Sequence, residues 1–145
     1  MKAALLGRAD QIPPENLNIP LFLDRVPAGF PSPASDYCER NLDLNELCIT
    51  KPAATYFVRA EGESMLDAGI FPGDVLVVDR SLEARQGDVV IAEYGGELTV
   101  KRLELKPIVR LMPMNKKYLP LVIPEGEELQ LFGVVTTVIH SLRKP

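Results

Sequence analysis

The stretch Gly87-Asp88-Val89-Val90-Ile91-Ala92-Glu93-Tyr94-Gly95-Gly96-Glu97-Leu98-Thr99-Val100-Lys101-Arg102-Leu103 decides the fold. Two runs rich in valine, leucine, isoleucine and threonine flank a Gly-Gly pair. Such runs suit a pleated, half-buried surface, and two glycines between them predict a tight hairpin turn. The hairpin therefore comprises strands at Asp88–Tyr94 and Glu97–Leu105, and similar runs recur at Thr55–Ala60, Asp74–Asp79, Ile108–Met112 and Leu129–Leu142. Glycine or proline separates most of them. No helix of crossover length lies between these strands, which argues against parallel pairing. The pattern predicts a mainly β fold, with largely antiparallel strands in a partly closed barrel.

Toward the amino end the character changes. Between Gln11 and Pro33 stand Pro13, Pro14, Pro20, Pro27, Pro31 and Pro33. Proline fixes φ and removes a backbone donor, so this segment predicts an extended arm rather than a packed helix or a central strand. Ser32-Pro33 is a suitable helix start, predicting a short helix over Ala34–Arg40, and a second is expected at Asp43–Cys48 with Asp43 as its cap. Met1 to Leu6 is mildly apolar, but Gly7, Arg8 and Asp10 interrupt it before a signal-peptide core forms. No apolar run approaches the length of about 18 residues that a membrane helix needs. A soluble cytoplasmic protein is expected.

At 145 residues and 46% hydrophobic, the chain can bury one core. Its net charge of -4 argues against a protein whose main work is gripping phosphate backbones, so no direct sequence-specific DNA binding is expected. Cys38 and Cys48 lie far from the single histidine, His140, and suggest neither a zinc site nor a disulfide framework. His140 reads as structural or as part of a dimer contact. Met112, Met114 and Phe132 read as core or interface packing. Asp67, Asp74, Asp79 and Asp88 each stand beside a glycine, a turn or a strand end, where aspartate serves local hydrogen bonding. No metal or cofactor is indicated.

With so little histidine, the chemistry must be sought elsewhere. Ser64 lies in a glycine-flanked turn, Gly62-Glu63-Ser64-Met65, and Lys101 lies in the predicted strand 97–105. A serine hydroxyl becomes a good nucleophile when a base takes its proton, and a lysine serves if its neutral amine is accessible near neutral pH. Alternation places Lys101 on one face with Thr99, Leu103 and Leu105. If that face is buried, desolvation lowers the lysine pKa from about 10.4 toward roughly 7 to 8. Residue type and spacing alone leave the other reading open: a turn serine and a snorkelling surface lysine.

Several motifs in order resolve this. Gly62-Glu63-Ser64-Met65-Leu66-Asp67-Ala68-Gly69-Ile70, then Gly73-Asp74-Val75-Leu76-Val77-Val78-Asp79, Gly87-Asp88-Val89-Val90 and Thr99-Val100-Lys101-Arg102-Leu103 resemble the self-cleaving serine peptidases related to the LexA repressor. Pro20-Leu21-Phe22, Gly29-Phe30-Pro31-Ser32-Pro33-Ala34, Asp36-Tyr37, Ala54-Thr55-Tyr56-Phe57-Val58 and Phe132-Gly133-Val134-Val135 extend the resemblance to the UmuD-type mutagenesis proteins, over roughly residues 18 to 142. The resemblance implies a LexA-type peptidase domain with Ser64 as nucleophile and Lys101 as general base. It implies self-cleavage at Ala28-Gly29, which divides the chain into an arm, residues 1–28, and a β domain, residues 29–145. Pro27 departs from the family pattern and stiffens the arm, with an expected effect on rate rather than on site. Backbone N–H groups of Glu63 and Ser64 are the expected oxyanion donors. The resemblance further implies a homodimer, with Leu129–Leu142 as a candidate contact. It also implies stimulation by the RecA–single-stranded DNA filament in the SOS response, and partnership of the shortened product with a Y-family, UmuC-like polymerase subunit.

Three other readings are weighed. A LexA-like repressor needs a DNA-binding helix-turn-helix, and the proline-rich residues before Gly29 offer no recognition helix. A signal peptidase uses a similar Ser-Met and lysine arrangement but is membrane anchored. A non-catalytic partner-binding β-module would make Ser64 incidental.

Overall fold

The computed structural model of the protein describes residues 1–9, 19–22 and 38–143. Among these residues ten strands form in chain order: β1 (Lys2–Arg8), β2 (Ile19–Phe22), β3 (Cys38–Leu42), β4 (Thr55–Glu61), β5 (Val75–Asp79), β6 (Val89–Tyr94), β7 (Glu97–Glu104), β8 (Arg110–Met112), β9 (Leu121–Val122) and β10 (Leu131–Ile139). One short helix, α1 (Leu44–Cys48), is capped by the Asp43 carboxylate, which accepts the Asn45 N–H at 2.9 Å.

The main sheet runs β1-β4-β5-β10-β6-β7-β8-β9, and β1 also pairs with β7 at Lys2 and Thr99. Six antiparallel strands thus close into a barrel, while β8 and β9 extend beyond it. The closing strand is one to which the sequence assigned no element. Lys2–Arg8 carries a glycine and two charged residues, so its own pattern is weak, and it becomes a strand because β4 and β7 present main-chain partners on either side. Where a partly closed barrel is expected from sequence, β1 completes the ring.

The other strand expectations hold, most with shorter ends, while Thr55–Ala60 extends by one residue to β4. At the hairpin, Gly95 and Gly96 have φ values of 60° and 80°, the left-handed pair that a two-residue turn of type I′ requires. Leu129–Leu142 shortens to β10, Ile108–Met112 to β8, and the two-residue β9 has too little pattern to be read in advance. Of the expected helix over Ala34–Arg40, residues 34–37 lie outside the described residues, and the rest is corrected: Cys38–Leu42 is a strand, paired antiparallel with Ile19–Phe22. Local helix preference there yields to cross-strand pairing. Within the proline-rich arm, Ile19–Phe22 is a strand of this separate two-stranded ribbon rather than a central strand of the main sheet, as Pro20 requires.

Two apolar clusters cover opposite faces of the hairpin. Val58, Ala60, Met65, Ile70, Leu76, Val78, Ile91 and Val100 form one, with Phe132 and Met114 packed against it. Val90, Ala92, Leu103, Leu111 and Val134 form the other. β6 and β7 are therefore buried on both sides, which is why even a charged residue on β7 is drawn out of water. Among the described residues no helix is long and apolar enough to cross a membrane.

Gly133 marks the tightest packing of β10 on β5. A β-carbon there would lie 2.7 Å from Val78 Cγ1 and 3.2 Å from the Asp79 carbonyl oxygen. Gly133→Ala is expected to lower unfolding stability by about 1–3 kcal/mol through overpacking, measured as a reduced urea midpoint at unchanged slope. An unaltered midpoint would show that the two strands separate freely at this point.

Candidate active site

The serine loop follows directly from β4. Gly62 turns the chain with φ of 89°, Ser64 and Met65 follow, and a 3-10 turn over Leu66–Ala68 ends at Gly69 in the left-handed region. Met65 is fully buried in the first cluster and anchors the loop. A second segment clamps it from outside. The Met114 N–H donates to the Ser64 carbonyl at 2.7 Å, the Asp67 N–H donates to the Met114 carbonyl at 2.7 Å, and the Asn115 side-chain amide donates to the Glu63 carbonyl at 2.7 Å. Three hydrogen bonds and one buried side chain thus fix the position of the Ser64 hydroxyl. The sequence offered no signal for the part played by Met114 and Asn115, because their contact spans the whole hairpin.

Lys101 reaches the same point from β7. Its Nζ lies 3.0 Å from Ser64 Oγ, 3.2 Å from Thr99 Oγ1 and 3.1 Å from the Val100 carbonyl oxygen. Ser64 is 0% exposed and Lys101 6%. The expectation that the Leu103 face is the buried one holds, since Leu103 is buried, whereas Leu105 lies beyond the strand and is exposed. Three neighbours around one nitrogen suit either protonation state. The ammonium donates three N–H bonds, while the neutral amine donates two and turns its lone pair toward the Ser64 hydroxyl proton. Burial pushes the Lys101 pKa below its ordinary value of 10.5, and the interaction with the amino end of the chain acts in the opposite direction.

That amino end is the unexpected member of the site. The Met1 amino nitrogen lies 2.6 Å from Ser64 Oγ. The Met1 carbonyl accepts the Val100 N–H at 3.0 Å and the Thr99 hydroxyl at 2.9 Å. Thr99 thereby joins Met1 and Lys101 through one hydroxyl. Burial first, then Lys101 through hydrogen bonding and charge, lowers the Met1 amine from 8.0 to about 5, so it is neutral at pH 7. Sequence reasoning placed Thr99 on the Lys101 face but had no means of finding Met1, ninety-eight residues away from Thr99.

The remaining candidates separate cleanly. Ala28 and Gly29 lie outside the described residues. Glu63 is exposed beside the buried Ser64, and their backbone sits where the loop leaves β4. His140 contacts the nearly buried Asp74 carboxylate at 2.5 Å and packs against Phe71. The carboxylates of Asp74, Asp79 and Asp88 accept nearby backbone N–H groups of Phe71, Ser81 and Arg85 respectively, and Asp74 adds the contact with His140 to this local role.

A small antiparallel barrel carrying a serine and a lysine in buried contact defines a class of hydrolase-like fold. Residues 20–136 match the Peptidase S24-like family, and the chain belongs to it as a UmuD-type relative of the LexA-like peptidases. It is 55% identical to Protein SamA of Salmonella typhimurium over 139 residues, covering 96% of this chain and 97% of that protein. It is 55% identical to Protein ImpA of Escherichia coli over 130 residues, 86% of each chain. Against Protein MucA of Escherichia coli it is 52% identical over 126 residues, 86% of this chain and 84% of that one.

The lowered lysine pKa has a consequence for stability. Between that lowered value and 10.5 the unfolded chain binds more protons than the folded one, so stability rises with pH across this window. The Met1 amine acts in the same direction between about 5 and 8.0. Lys101→Met keeps most of the side-chain volume and removes the titration. The stability difference between wild type and this variant, followed by urea unfolding from about pH 7 to about pH 11, is expected to shift in favour of wild type as pH rises. A difference that stays constant would mean that the lysine titrates as it does in water.

Proposed function

We propose that the protein is a self-cleaving serine peptidase of the SOS response, in which Ser64 and Lys101 cut the Ala28-Gly29 bond of the chain's own arm. The observation that carries this reading is the 3.0 Å contact between Ser64 Oγ and Lys101 Nζ, with both residues buried. Neutral Lys101 takes the hydroxyl proton as Ser64 Oγ attacks the Ala28 carbonyl carbon. Backbone N–H groups of Glu63 and Ser64 hold the oxyanion, a contribution of roughly 3–4 kcal/mol per donor. The Lys101 ammonium then protonates the Gly29 nitrogen as the C–N bond breaks, leaving Ala28 as an ester on Ser64. Water, deprotonated by Lys101, hydrolyses that ester and restores the hydroxyl. Small residues at the scissile bond let its carbonyl approach a buried oxygen, and an extended arm can pair its main chain with a strand edge.

Likeness to UmuD-type relatives supports a pathway for this activity. The RecA–single-stranded DNA filament stimulates cleavage after DNA damage. The product, residues 29–145, works as a cytoplasmic homodimer with a UmuC-like Y-family polymerase subunit in translesion synthesis. The likeness to Protein ImpA and Protein MucA supports this assignment over a repressor or an inert β-module.

Incubation of the purified chain at alkaline pH, read by intact mass, is expected to yield a fragment beginning at Gly29. Its rate rises with pH through the lowered Lys101 pKa, because the base is the neutral amine. Lys101→Ala is expected to slow it by about 10²–10⁴-fold, and Ser64→Ala to abolish it. Absence of the fragment, under alkali and with activated RecA filament alike, would leave the partner-binding module as the better account.

A further inference from the structure

We infer that the seam between β4 and β7 is a binding site for an extended peptide strand with a free amino end, and that Met1–Arg8 fills it, shutting Ser64 off until the strand withdraws. The inference deepens the peptidase reading and rests on it. Its basis is the geometry around Met1.

Ser64 attacks a carbonyl carbon only if that atom approaches its oxygen to about 3–3.5 Å. The Met1 nitrogen already lies 2.6 Å from this oxygen, and together with the surrounding loop it leaves Ser64 with no exposed surface. Substrate and Met1 cannot occupy the position together. Nor is the approach of Met1 casual. β1 is paired along β4 from Lys2 opposite Glu61 to Arg8 opposite Tyr56, and on its other side with β7 at Thr99. The Met1 carbonyl takes two further hydrogen bonds from β7, and its Cα lies 3.4 Å from where a Gly62 β-carbon would stand.

The direction of the strand identifies its ligand class. From Ser64 the chain runs away in the amino-to-carboxyl sense, the sense in which the departing half of a cut peptide leaves. Met1 is therefore held as the new amino end of a cleavage product would be held. A free amine fits because burial keeps it neutral beside Lys101; Glu97 engages Lys2 at the surface, 3.6 Å away, and Glu61 is exposed. The grip is mostly main-chain: Leu5 and Leu6 are each 49% exposed, while Met1 and Ala3 alone of the strand's apolar residues pack on the first cluster. Such a strand is bound by shape and hydrogen bonding, and its withdrawal uncovers little apolar surface.

The test lengthens the amino end. A chain carrying a Met-Gly-Ser extension before Met1 is compared with the unextended chain in alkaline self-cleavage. The Met1 amine of the unextended chain is followed by NMR of methionine-labelled protein. The extended chain is expected to cut at least about tenfold faster, since the reactive fraction of molecules is no longer limited by the seated strand. A synthetic peptide of residues 1–8 with a free amine should slow it again, and the acetylated peptide should not. The Met1 amine should titrate near 5. Equal cutting by both chains, or titration near the ordinary 8.0, overturns the inference while leaving the peptidase reading intact. If neither chain cuts under any condition, the peptidase reading fails instead, and the Met1 titration alone decides whether the strand is seated.

Discussion

Two amines, Lys101 buried and Met1 half-buried, converge on one serine oxygen, and the rest of the structure serves to hold them there. An ammonium in that position is costly because burial strips its hydration without supplying a carboxylate. Lys101 meets a hydroxyl and a carbonyl as well as Ser64, and Met1 meets Ser64 itself. Neither finds an anion among these contacts. Both amines are therefore driven toward their neutral forms, and a neutral amine beside a hydroxyl is a base beside a nucleophile.

The barrel explains how a lysine comes to be buried at all. β7 is covered on one face by the cluster around Val100 and on the other by the cluster around Leu103, so Lys101 has no wet side to turn to. The serine loop is brought over it by Met65 in the core and by the Met114–Asn115 clamp. Closure by β1 completes the enclosure. One strand thus both finishes the sheet and caps the reactive oxygen, so the integrity of the ring and access to the site are coupled through the same main-chain hydrogen bonds.

Under the proposed self-cleavage, this coupling bears on how the chain is restrained. A tethered arm has a high effective concentration, and a competent nucleophile would act on it unless geometry intervened. Occupation of the site by a different part of the same chain is one physical form of such an intervention. It acts through position and leaves the chemistry of the serine and the lysine unaltered.

Alternating valines and isoleucines, the Gly95-Gly96 turn and the ordered serine and lysine boxes determined by themselves the antiparallel β class and pointed to Ser64 and Lys101, which the fold brings into buried contact. These are local signals: period-two burial, left-handed glycines and side chains two apart on one face. The short expected helix over Ala34–Arg40 gave way at Cys38–Leu42 because pairing with Ile19–Phe22 is a long-range contact that outweighs local preference. Lys2–Arg8 carried almost no pattern, and its strand exists only because β4 and β7 stand ready on both sides. Tertiary structure alone decided the closed ring, the Met114 clamp and the seat of Met1, since each depends on residues that are distant in sequence and meet only once the chain has folded.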